Sequence, residues 1–139
     1  MIMMIIVLLG VLVTLYGVFT KNRVLYNVGY FVFGIVVFWD QFGLFSESNN
    51  AENLAMAALW LIQAIVTIPN KLNYDGSKLA KSAGVKINAT LSVINGFAVY
   101  YATTVDYIPE FAMYIHGLLA VLPLIAIYLI LSDKIEVTA

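Results

Sequence analysis

Hydrocarbon in long blocks decides what this chain can be. Five segments of near-continuous apolar sequence, at 2–19, 24–45, 53–68, 85–104 and 111–131, take up most of its length. A helix needs about 20 largely apolar residues, and roughly 17 at the least, to cross a bilayer. Apolar residues make up 63% of the 139 and charged ones only 11%, with a mean hydropathy of +0.94. A soluble domain has about a quarter of its residues charged and under half apolar, and a chain this short could not cover so much hydrocarbon in water. That excludes a soluble enzyme, a nucleic-acid-binding module and a disordered tail. The expectation is an all-α integral membrane protein: five transmembrane helices with short loops, forming a single helical bundle over residues 1–139 with the lipid bilayer as its solvent.

Charge placement tests that count without using hydropathy. Lys21 and Arg23 fall in the first connection, Lys71, Lys78, Lys81 and Lys86 in or beside the third, and Lys134 in the tail. If five helices alternate in direction, these three regions share one side and carry all seven basic residues. The second and fourth connections hold Glu47, Glu52, Asp106 and Glu110 and no base. The positive-inside rule then places the N-terminus outside and the C-terminus in the cytoplasm, as a multi-pass protein of a cell (inner) membrane. A four-span reading that drops the short third segment scatters the lysines over both faces. The first run has no basic residue ahead of it, exceeds a usual signal-peptide core and precedes no A-x-A-like site, so it is read as an uncleaved span. Tyr16, Tyr26 and Tyr30 fall at the inner interface, and Trp39, Tyr100, Tyr101, Tyr107 and Tyr114 at the outer one, as aromatic belts do. Asp75 or Ser77 is placed to cap the fourth helix.

Reactive groups are scarce. The absence of cysteine removes disulfides, Cys-ligated zinc, iron–sulfur clusters and thiol nucleophiles. The lone histidine, His116, provides neither a bis-His haem pair nor a multi-histidine metal site. Met113 and His116 share a helix face, as a soft copper site would need, but methionine is a routine packing residue. No G-x-S-x-G or H-E-x-x-H occurs. The reading is therefore of no enzyme, no cofactor and no metal site. A net charge of −1 gives no drive toward nucleic acid.

Polar side chains at membrane depth are costly and each calls for a reason. At the helical rise, Asp40 and His116 fall roughly 7–8 Å below the outer edge. Gln63 and Asn95 fall near the midplane, with Ser92 and Asn88 further in. Asn88, Ser92 and Asn95 are spaced i, i+4, i+7 and form one stripe. Read functionally, these six residues make a polar line for a proton, a small cation or a neutral solute, with Asp40 and His116 as a carboxylate–imidazole pair. Read structurally, they are hydrogen bonds between helices. Ala112 and Ala120 flank His116 at i±4, and Pro123 is expected to kink the fifth span by freeing the Leu119 carbonyl. Gly10, Thr14 and Gly17 make a small-residue seam on the first span, a packing face. Two functions follow in order: a structural or accessory subunit of a larger membrane complex, partnered by other membrane subunits, or a small self-oligomeric channel or transporter using the polar line.

Overall fold

A computed structural model describes residues 2–20, 22–68, 78–104 and 108–135. It contains five helices, α1 (Ile2–Phe19), α2 (Arg23–Ser48), α3 (Ala51–Val66), α4 (Lys78–Thr104) and α5 (Glu110–Leu131), and no strand among the described residues. Lys21, Lys71, Asp75, Ser77, Asp106 and Tyr107 lie outside the described residues. The chain divides into two compact units, one holding α1–α3 and the other α4 and α5.

Helix boundaries follow local polar chemistry. Asn22 caps α2, its side chain accepting from the Leu25 amide at 3.2 Å, and Asn50 caps α3 through the Glu52 amide at 2.8 Å. Between α2 and α3 stands Asn49 in the left-handed region (φ 54), its N–H donating to Phe45 O at 2.8 Å. Asparagine tolerates that conformation well, so it both ends one helix and lets the next begin two residues later. Glu110 opens α5 just after Pro109, where a carboxylate suits the helix N-terminus. The largest departure from the expected boundaries is α4, which starts at Lys78, seven residues ahead of its apolar part at Val85.

Length and composition together qualify two helices to cross a membrane, α2 and α5. At 1.5 Å per residue the 16 residues of α3 rise about 24 Å, against a hydrocarbon thickness near 30 Å, and the 18 of α1 about 27 Å. In contrast α4 is long enough at 27 residues, but its first turns carry Lys78, Lys81 and Lys86.

In the first unit α2 is central, packing against α1 on one face and α3 on another. The expected seam is the α1 contact surface. A Cβ on Gly10 would lie 3.3 Å from Gly29 O and 3.4 Å from Phe33 N; one on Gly17 would run into the backbone of Tyr26 and Asn22. Such small residues let the two backbones approach closely. Against α3, Gly34 sits over Trp60 and Ala64, and Phe33 meets the Trp60 ring edge-on at 4.8 Å. Both pairs are antiparallel, so Arg23 and the end of α3 share one end of this unit while Glu47 and Glu52 share the other.

The second unit is an antiparallel hairpin. Asn95 meets His116, Ser92 meets Ala120 and Lys81 meets Asp133, pairings that step down one helix as they climb the other. Lys78, Lys81 and Lys134 gather at one end and Glu110 stands at the other.

Both units bury little. The buried apolar side chains are mostly small or confined to the α4–α5 seam: Ala57, Ala64, Ala83, Ile87, Ile94 and Ile130. Outward stand Leu8, Leu12 and Phe19 on α1 and Ile115, Leu118 and Leu122 on α5. An apolar surface this continuous is a liability in water and an asset in lipid.

Candidate functional site

The α4 stripe faces α5 and is largely committed to it. Ser92 Oγ donates to the Ala120 carbonyl at 2.7 Å, one residue from the Leu119 carbonyl that Pro123, buried inside α5, leaves without its helical amide. The hydroxyl of the neighbouring helix thus meets α5 beside its proline-disturbed turn, on the carbonyl next to the freed one. One turn along, His116 Nδ1 lies 2.9 Å from Asn95 Oδ1. Asn95 is itself anchored, its Nδ2 donating 2.8 Å to Leu91 O on its own helix. Asn88 Nδ2 likewise turns back to Gly84 O at 2.8 Å.

Two of the six expected residues lie in the first unit, and they differ sharply. Asp40 is exposed, with Gln41 Nε2 donating to its Oδ2 at 3.4 Å. Gln63 has no exposed surface, yet neither its Oε1 nor its Nε2 has a hydrogen-bond partner, so the two are not joined. The structure therefore brings together Asn95 and His116, ties Ser92 to the α5 backbone and leaves Asn88 on its own helix. The two members of the expected Asp40–His116 pair belong to different units.

Three buried polar residues escaped the sequence reading. Asn27 is 2% exposed with its Oδ1 unpartnered, Thr67 is fully buried, and Asn53 is buried. Thr67 Oγ1 is satisfied within α3 by the carbonyls of Gln63 at 2.9 Å and Ala64 at 3.0 Å. A signal was present for two of them. Asn53, Ala57, Trp60, Ala64 and Thr67 are spaced i, i+4, i+7, i+11, i+14, and the two alanines mark that stripe as the one a neighbouring helix covers. Asn27 was masked by lying four residues from Arg23, where a polar residue passes as interfacial.

No family model, curated protein or solved structure matches the chain. Its chemistry must be read from its own groups. Among the candidate residues, the His116 imidazole, the exposed Asp40 carboxylate and a set of amides and hydroxyls offer hydrogen bonding and proton binding.

Proposed function

We propose that this chain is a five-span protein of the cell membrane, N-terminus outside and C-terminus in the cytoplasm, acting as a structural or accessory subunit of a larger membrane complex. One observation carries the choice over transport: the polar stripe of α4 is used up within the α4–α5 hairpin, by Ser92 on Ala120 O and Asn95 on His116. Groups bonded this way join helices and are not available to a passing solute. The short helices fit the same reading, because α1 and α3 match the bilayer better where it thins locally or where neighbouring subunits cover their ends. Their outward leucines and phenylalanines supply surface for both lipid and partner helices.

The test is gentle extraction of the tagged chain from its own host, with native mass and identification of what accompanies it. Stoichiometric companions from the membrane are expected. A homo-oligomer without companions would overturn the reading.

A second reading, a small self-associating channel or transporter, is favoured by Gln63, whose buried amide has no partner among the described residues. In that case Gln63→Leu abolishes flux of protons or a small solute in proteoliposomes while the protein still folds. Unchanged flux disposes of it.

A further inference from the structure

The geometry of the α4–α5 hairpin points to a fixed tautomer of His116: we propose that its ring carries a proton on Nδ1 and presents Nε2 as an open acceptor, a site for a proton or for the O–H of a small protic ligand. The deduction starts at Leu91. Its carbonyl only accepts, so the Asn95 atom 2.8 Å away is the amide nitrogen, and the atom facing His116 is the amide oxygen. That oxygen also only accepts. At 2.9 Å from it, Nδ1 must be the donor. A neutral imidazole with Nδ1–H has its lone pair on Nε2, and Nε2 has no partner among the described residues.

Two features make this a usable site. Protonation at Nε2 leaves the Nδ1–H to Asn95 bond intact, so His116 can gain and lose a proton without parting α4 from α5. The site is also reachable: the His116 side chain is only part-buried. The other titratable groups of the hairpin are placed or engaged otherwise. Lys81 pairs with Asp133, Glu110 accepts from Tyr114, and Lys134 lies against Tyr128. Lys78, Lys86 and Tyr100 are exposed, and Tyr101 has an interaction of its own. This inference does not depend on whether the chain is an accessory subunit or a transporter.

A single histidine makes the test direct. The full chain, labelled with nitrogen-15 at histidine and placed in lipid nanodiscs, is followed by NMR from alkaline to acidic pH. The alkaline form is expected to show a protonated Nδ1 and a bare Nε2, and acidification is expected to protonate Nε2 reversibly. Asn95→Asp, which keeps an acceptor, retains Nδ1–H; Asn95→Leu, which removes it, lets the Nε2–H form appear. A bare Nδ1 in the wild type overturns the assignment without any variant. An Nε2 that never titrates shows that protons do not reach it, which defeats the proposed site.

Discussion

The seam between α1 and α2 makes a graded prediction about glycine. Replacing Gly17 with alanine adds a Cβ that would stand 2.8 Å from Tyr26 Cα and 2.9 Å from Asn22 O, closer still to Tyr26 N. Carbon prefers about 3.5–4.0 Å from its neighbours, and these neighbours are backbone, which cannot swing aside. The helices must separate by about 1 Å at that level, and overpacking of this kind costs about 1–3 kcal/mol. Alanine returns roughly 0.5–1 kcal/mol through its better helix propensity, so the net loss is at most about 2.5 kcal/mol and centres a little above 1 kcal/mol. A loss of about 1–2 kcal/mol changes the folded-to-unfolded ratio roughly five- to thirtyfold. Gly43, on the same pair's central helix, has nothing within 4 Å, so Gly43→Ala keeps only the propensity gain and stabilises. Gly10 stands between them, since a Cβ there needs its neighbours to yield by only a few tenths of an ångström. Unfolding followed by far-UV circular dichroism, as a denaturing detergent is titrated into mild micelles, ranks the three. The midpoint should fall for Gly17→Ala, move little for Gly10→Ala and rise for Gly43→Ala. If Gly17→Ala and Gly43→Ala move together, the close approach of α1 and α2 is wrong.

Three further changes probe the polar groups. Ser92→Ala removes the hydroxyl on Ala120 O and is expected to destabilise the hairpin by about 0.6 kcal/mol, the average for such bonds between membrane helices, and by at most about 1.7 kcal/mol, in the same unfolding assay. The Lys81–Asp133 pair, at 2.6 Å but with side chains 35% and 82% exposed, should give a double-mutant coupling of at most about 1 kcal/mol that shrinks as salt is added. Gln63→Leu replaces a buried amide with no partner among the described residues and should stabilise the first unit by about 1–3 kcal/mol; a loss of stability would mean that the amide is satisfied by a group outside those residues.

How much of this was legible beforehand depended on whether a feature is periodic. The five helices were readable because long apolar runs announce them, whereas the caps at Asn22, Asn49 and Asn50 show only in the structure. Gly10, Thr14 and Gly17 were readable as a seam because three small residues on one face have few other uses. The start of α4 was not, since Lys78, Lys81 and Lys86 look like loop until the helix extends beyond its apolar part. Helix rotation was the deeper gap. Sequence spacing put Asn88, Ser92 and Asn95 on one face, but only coordinates show that face turned to α5, with Asn95 beside the histidine. Asn27 and Thr67 required knowing which side of α2 and α3 was covered, information that hydropathy averages away.

The two units handle polarity in opposite ways, and that contrast bears on where function lies. In the α4–α5 hairpin almost every mid-helix polar group has a partner: Asn88 and Asn95 on their own carbonyls, Ser92 on Ala120 O, His116 on Asn95. Among the described residues, His116 Nε2 is one of the few side-chain atoms that the hairpin leaves open. In the first unit the arrangement is reversed, with three buried amide atoms on Asn27 and Gln63 unpartnered. A bond left unmade away from water costs more than a made one contributes. The hairpin is thus the self-sufficient part, its polarity mostly consumed in holding two helices together, while the first unit has unmet bonding capacity on α2 and α3. A subunit that completes its polar pairing only inside a larger assembly would carry that imbalance, and the stability of Gln63→Leu, measured in the isolated chain and again with its companions present, separates an amide that merely tolerates burial from one that has a partner waiting.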